Sequence, residues 1–442
     1  MNTLLNHTHD PAARSWLESA NSGSDFSIQN LPIAVFRRAC GDEIFRGGIA
    51  IGDSIVDLAA LVLTGLLQGD AERACKLAAQ NTLNDFMAAG PLIWQALRNS
   101  LFALLEADAL PAQQQAMRAC LIPQSSAEYT VAARIGDYTD FYTSIHHARK
   151  VSQIVKPGEP LPGNFQWIPI AYHGRASSIV SSGSAFHRPM GQSLPPGAAE
   201  PVYGPCARLD FELELGVFIG AGNQLGQAIP LFEAEDHIFG VCLLNDWSAR
   251  DIQFWEMTPL GPFLGKNFCT SISPWIVSME ALAPYRLPFM RPPGHPQPLP
   301  YLDGPTNRAQ GVLDIQLDVL IETPQNRARH EPGTQVSRTS FCHQYWTLAQ
   351  MVTQHTMGGC NLQAGDLLGT GTISGPTAPE AGALVELTEG GRQALSLQGG
   401  EQRTFLQDGD AVVLRGWCEK PGAARIGFGE CRGLVLPAIA AA

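Results

Sequence analysis

Short apolar runs separated by glycines and polar turns open the chain: Ile33-Ala34-Val35-Phe36, then Ile49-Ala50-Ile51, then Ile55-Val56. That spacing predicts a small β-unit between Ser27 and Leu58. From Ala59 to about Ala119 the texture changes. Ala, Leu and Gln recur at helical spacing, as in Trp94-Gln95-Ala96-Leu97-Arg98 and Leu101-Phe102-Ala103-Leu104-Leu105, and predict amphipathic helices with no chemistry of their own. Pro123-Gln124-Ser125-Ser126 reads as a linker out of this first unit.

Beyond this unit, period-two alternation dominates. In Leu209 to Phe218, the residues Phe211, Leu213, Leu215 and Val217 fall on one face and Asp210, Glu212 and Glu214 on the other. Taken alone, that polar face suits a solvent-facing strand of an antiparallel sheet, but two glutamates on one face repel and call for compensation. Ile238 to Leu244 is long enough for one buried strand, and Leu313 to Ile321 and Gly382 to Leu387 alternate again. Leu348 to His355 predicts a helix. Leu367 to Pro376 reads as a strand and a Gly-rich turn that lacks the Lys and the spacing of a phosphate loop, which argues against a nucleotide site. The expected fold class is therefore mainly β (α+β), with a rolled or barrel-like sheet rather than a doubly wound one.

At 442 residues the chain exceeds one comfortable core and is expected to divide into two domains, one of them large. Its net charge of −12 and pI near 5.4 argue against a nucleic-acid partner, which needs a basic footprint. The ten cysteines are scattered without a CxxC pair, as expected of reduced thiols in a cytoplasmic protein. The first residues show no basic and apolar leader pattern, and no stretch approaches the ~20 apolar residues of a membrane span.

Candidate chemistry gathers where strands break. The apolar run ending at Leu244 opens into Asn245-Asp246-Trp247, and Arg250 and Gln253 follow three apart, so one helical turn points both the same way. Pro259, Gly261, Pro262 and Gly265 then force a loop that returns Lys266 towards the same region. Asp137, Asp140, Tyr142, His146 and His147 crowd into eleven residues. Asp140, Glu212, Glu214 and Asp246 lie at ends or faces of predicted strands. Oxygen-only ligation of that charge suits a hard divalent cation, Ca²⁺ or Mg²⁺, rather than zinc. His147 is the best candidate for a general base, with Glu386 on a late strand as one partner able to fix its tautomer. No Gly-x-Ser-x-Gly elbow occurs, which leaves a serine hydrolase without support.

Several long motifs then stand in order. They are SWLESAN, DFSIQNLP, DYTDFY with the following His147, AYHGRASS, FELEL, NDWSARDIQ, PLGPFLGK and GTISGP. Together the chain from Ser15 to Pro437 resembles the fumarylacetoacetate hydrolase family. The resemblance implies an SH3-like N-terminal domain with helices over residues 1–131, a large mixed β-roll catalytic domain over 132–442, and a homodimer. It implies hydrolysis of the carbon–carbon bond of a small-molecule substrate, 4-fumarylacetoacetate, to fumarate and acetoacetate, the last step of tyrosine and phenylalanine catabolism. Carried over by position, the family's Ca²⁺ ligands fall on Asp140, Glu212, Glu214 and Asp246, and its Mg²⁺ positions on Asp246, Lys266 and Thr270. An ammonium has only donors, so Lys266 is expected to act through its main chain or on other ligands. His147 matches the base and Glu386 its orienting acid; Arg250, Gln253 and Lys266 match the groups around the developing oxyanion. Substrate contacts map to Tyr142, Tyr172, Gln253 and Thr372. Two positions depart from the family pattern: Lys156 stands where an Arg is usual, and Met257 where a Tyr is usual. The rival readings are a hydrolase or decarboxylase of a related acylpyruvate or diketo-acid, and a catalytically idle, metal-stabilised dicarboxylate-binding protein.

Overall fold

The computed structural model describes residues 5–439 apart from 22, 156, 159 and 160. Its first unit is a five-stranded antiparallel sheet with spatial order Leu121–Pro123, Ser54–Asp57, Arg46–Ile51, Ile33–Arg38, Ala127–Thr130. Five helices between Leu58 and Arg118 are inserted before the last two strands. Local chemistry explains the switch from strand to helix. The Asp57 carboxylate accepts the N–H groups of Ala59 and Ala60, which caps Leu58–Thr64, and Gly65 ends that helix in the left-handed region. Pro91, at the first helical position, starts Pro91–Leu105, whose Leu97, Leu101, Phe102 and Leu105 are buried.

The segment Pro123–Ser126, expected to be a linker, is a tight turn inside this sheet. Gln124 N–H donates to Asp53 O at 2.9 Å, and the next strand, Ala127–Thr130, pairs with Ile33–Arg38. Pro and Ser mark a turn, and only the pairing beyond it tells whether the chain leaves the sheet.

The second unit is built on two sheets. One has eight strands and is mixed: Tyr138–Phe141 runs parallel to Leu367–Gly369, and Ile179–Ser181 runs parallel to Thr270–Ile272, while Leu213–Ile219 and Ile238–Asp246 pair antiparallel at its centre. The other has five strands, among them Gln316–Glu322, Ala411–Cys418 and Ile426–Leu436. Leu215, Val217, Val241 and Leu243 of the first sheet share one core with Leu317, Val319, Val412, Leu414 and Phe428 of the second. The whole is a mixed α+β protein with an N-terminal unit and a large second unit of curved sheets.

Two further expectations need correction. The polar face of Leu209 to Phe218 is not solvent-facing: Asp210, Glu212 and Glu214 are all buried, and the strand breaks between Asp210 and Leu213. Alternation reports two faces but not which is wet. Glu386 lies on a helical turn, Leu384–Leu387, not on a late strand. Six alternating residues fit either state, and here Asp210 binds the backbone N–H groups of Leu384 and Val385, which favours winding.

Candidate active site

The eight-stranded sheet delivers its carboxylates at strand ends. Asp140 is paired with Gly369, Glu214 with Leu244, and Asp246, the last residue of its strand, with Thr270. Register thus brings Asp140, Glu212, Glu214 and Asp246, all buried, to one point, where they offer oxygens within 4.8 Å of one another. Gly369 makes room: a Cβ there would sit 2.6 Å from Asp140 Oδ1 and 3.0 Å from Glu214 Oε2. Gly371, with φ +75°, turns its N–H onto Glu214 Oε2 at 3.0 Å.

The donor set fits a hard divalent cation. Asp140 Oδ1 and Glu214 Oε1 are buried with no hydrogen-bond partner among the described residues, an arrangement that costs free energy unless a positive charge meets them. Burial and then neighbouring carboxylates, Asp246 first for Asp140 and Asp140 first for Glu214, push both groups well above the usual carboxylate range. Burial also raises Asp246, against the opposing pull of Lys266. Glu212 goes the other way. Burial alone would raise it, but Lys266 and Arg250 outweigh burial and hold it well below its ordinary value.

Lys266 Nζ donates to Glu212 Oε2 and, at 2.5 Å, to Asp246 Oδ2. Tyr172 donates its hydroxyl to Asp246 Oδ2 at 2.9 Å, and Thr270 Oγ1 to Asp246 Oδ1 at 3.2 Å. Lys266 and Thr270 therefore meet carboxylates through their own donors.

His147 projects from the helix Ile145–Val155, and its Nδ1 lies 2.7 Å from Glu386 Oε2. Ser374 Oγ donates to the same oxygen at 2.9 Å. A carboxylate can only accept, so Nδ1 carries the proton and Nε2 is left as the acceptor. Arg250 donates Nε to Asp210 at 2.9 Å, and Nη1 to Glu212 Oε1 at 2.7 Å and to Gln253 Oε1 at 3.2 Å. Its Nη2 is buried without a partner among the described residues, and so is the Thr372 hydroxyl.

A cavity of about 400 Å³ opens beside these groups. Asp140, Tyr142, His147, Tyr172, Glu212, Arg250, Gln253, Lys266 and Thr372 line one part of it. Val151, Val155, Leu161, Ile170, Phe254 and Met257 line the other. Lys156 lies outside the described residues. Asp137 is exposed, and His146 packs edge-on against the His343 ring, so neither of these two lines the cavity.

Three polar residues of this region escaped the sequence reading. They are Asp210, which binds Arg250; Ser374, which binds Glu386; and Tyr138, whose buried hydroxyl has no partner. Asp210 shares the alternating face of Glu212 and Glu214, which was a usable signal. Ser374 stands in the GTISGP motif, but nothing in the sequence pointed it at Glu386.

Comparison with known proteins supports one family over the whole chain. The family described as "Fumarylacetoacetate (FAA) hydrolase C-terminal" matches residues 138–436, and the one described as "Fumarylacetoacetase N-terminal" matches 29–132. The chain is 45% identical over 431 residues to a fumarylacetoacetase of Oryza sativa subsp. japonica, covering 96% of this chain and 98% of that one. It is 45% identical over 423 residues to the fumarylacetoacetase of Homo sapiens, covering 94% and 97%. A solved fumarylacetoacetate hydrolase from psychrophilic Exiguobacterium antarcticum shares the fold, with a TM-score of 0.50 at 15% identity over 92% of this chain and 99% of that one. With both of the family's domains matched in order and near-half identity from end to end, this chain belongs to the fumarylacetoacetate hydrolase family.

Proposed function

We propose that this pocket hydrolyses the carbon–carbon bond of 4-fumarylacetoacetate to fumarate and acetoacetate, the closing step of tyrosine and phenylalanine breakdown. The observation that carries the reading is that His147, paired with Glu386, lines the same cavity as Asp140 and Glu212 of the four-carboxylate cluster. The full-length similarity to curated fumarylacetoacetases supports it.

Asp140, Glu212, Glu214 and Asp246 would hold a Ca²⁺ or Mg²⁺ ion, with Lys266 and Thr270 steadying the ligands. When bound, the ion supplies Lewis-acid polarisation of the diketone oxygens. The chain's own residues do the rest. His147 Nε2 takes a proton from water, and Glu386 holds the ring and stabilises the imidazolium that forms. The hydroxide adds to the ketone carbonyl of the fumaroyl group. Arg250 Nη2, the Gln253 amide and Lys266 stabilise the resulting alkoxide. Its collapse breaks the carbon–carbon bond and releases fumarate, and the acetoacetate carbanion takes back the proton that His147 removed. Tyr142, Tyr172, Gln253 and Thr372 position the substrate, with Met257 beside its tail. The balance is one water consumed and two acids formed, with no covalent enzyme intermediate.

A second reading, hydrolysis or decarboxylation of a related diketo-acid, is favoured by the apolar wall of Val151, Val155, Phe254 and Met257. We further infer two domains meeting near residue 131, a homodimer and cytoplasmic residence, the last supported by ten free cysteines. The test of function follows the diketone absorbance of fumarylacetoacetate on adding protein, with and without a chelator. Chelator-sensitive loss of absorbance with fumarate as product supports the reading. No loss with metal-replete protein sinks it, and faster turnover of an acylpyruvate favours the second.

A further inference from the structure

Asp210 has no part in the chemistry above, and yet it is completely buried. A carboxylate taken out of water is costly unless its lone pairs are met, and three donors meet these. Oδ2 accepts Arg250 Nε at 2.9 Å and Val385 N–H at 3.0 Å, and Oδ1 accepts Leu384 N–H at 2.7 Å. The first donor belongs to the cationic side of the pocket. The other two open the helical turn whose next residue is Glu386, the partner of His147.

We propose that Asp210 is a positioning residue that locks the base side of the pocket to its oxyanion side, by holding Arg250 and the backbone of the Glu386 turn on one carboxylate. The inference rests on the hydrolase reading of the pocket. Asp210 is itself fixed: it ends the strand Leu209–Asp210, which pairs with Ser248 and Ala249, immediately before Arg250. On Arg250, Asp210 takes Nε, and Glu212 and Gln253 take Nη1. Among the described residues only Nη2 remains without a partner, so the guanidinium cannot swing without breaking bonds on two of its three nitrogens. A general base and its oxyanion donors act on one reacting carbon, so their relative placement must hold to a fraction of an ångström. Glu386 and Arg250 are 136 positions apart, and among the described residues the Asp210 carboxylate is the side-chain group that bonds to both segments.

Asp210→Asn keeps the shape but puts an amide NH₂ against a donor, Arg250 Nε or a backbone N–H. The expected result is a fall of about 10²-fold in kcat with KM changed less than about threefold, and bound metal as in the parent. Hydrogen exchange at Leu384 and Val385 is expected to quicken. In Glu386→Gln and Arg250→Lys backgrounds the same change is expected to cost much less, because the positioned group is already compromised. A kcat within about twofold of the parent, or an equal loss in all three backgrounds, overturns the proposal. Should Asp210→Asn not fold, Asp210→Glu keeps the charge and moves it by one methylene. A folded, metal-replete Asp210→Glu at parental turnover overturns the proposal, and a selective loss of kcat supports it. If the parent itself leaves fumarylacetoacetate intact, the hydrolase reading fails on that result alone. Asp210 is then judged on exchange: parental protection at Leu384 and Val385 in Asp210→Asn overturns it.

Discussion

Two cavities of similar size differ in what their walls leave unspent. One, of about 360 Å³, lies between the helices of the first unit and the second unit, lined by Leu31, Ile33, Trp94, Leu97, Leu101, Phe239 and Ile276 among others. The other, of about 400 Å³, is the candidate active site. The first holds a buried cation, Arg98, but its donors go to the carbonyls of Asn30 and Gln29 and to the Thr8 hydroxyl. Burial lowers Arg98 to about 10, with Glu280 opposing. Every nitrogen of that guanidinium has a partner, so it ties the N-terminal segment to the helix Pro91–Leu105 and offers nothing to a ligand.

The second cavity is the reverse. Asp140 Oδ1, Arg250 Nη2 and the Thr372 hydroxyl line it buried and unpartnered among the described residues, with Glu214 Oε1 in the same state in the adjoining carboxylate cluster. Size and apolar lining are common to both cavities. Stranded donors and acceptors, which the fold maintains at a cost in stability, mark the second as the place for chemistry.

The sharpest break of this contrast is Asp246→Ala. It removes the carboxylate to which Lys266, Tyr172 and Thr270 all donate, and is expected to abolish both metal retention and turnover. Elemental analysis of the purified variant checks it, and full metal occupancy would refute the ligand assignment. His147→Ala comes next. Turnover is expected to fall by about 10²–10⁴ with fold and metal kept, since a base acts on water and need not hold a cation. Turnover near the parental rate would remove His147 from the mechanism. His146→Ala, beside it but facing His343, is expected to change little.

Met257→Tyr probes the apolar half of the same cavity. A hydroxyl able to donate to a substrate oxygen is worth about 0.5–1.5 kcal/mol, so KM for fumarylacetoacetate is expected to drop a few-fold to about tenfold at nearly constant kcat. An unchanged or raised KM in steady-state kinetics would show a pocket shaped around methionine, and would favour a diketo-acid with an apolar tail. The smallest effect on catalysis is expected in the other cavity. Leu101→Ala should cost about 2–5 kcal/mol of stability, read by denaturant unfolding, and leave kcat/KM unaltered. A loss of kcat/KM in the folded variant would mean that the two cavities are coupled.

Much of this was legible in the chain itself. Periodicity announced the strands Leu213–Ile219 and Ile238–Asp246 and the helix Leu348–Thr356. The three-residue spacing of Arg250 and Gln253 put them in contact on one turn, because that contact is local. The motifs carried the family and, with it, the candidate residues. Tertiary structure alone decided how those residues meet. Glu212 and Glu214 sit two apart on one alternating face, but Glu212 meets Lys266 and Arg250 and is held low, whereas burial, and then Asp140 and Asp246, drive Glu214 high. His147 and Glu386 touch across 239 positions. Alternation could not say that the acidic face was buried, and six residues of it could not tell the Glu386 turn from a strand. Local pattern fixes which way a side chain leaves its own backbone. The charges and hydrogen bonds it then encounters belong to distant segments, and strand register and buried polar contacts choose those.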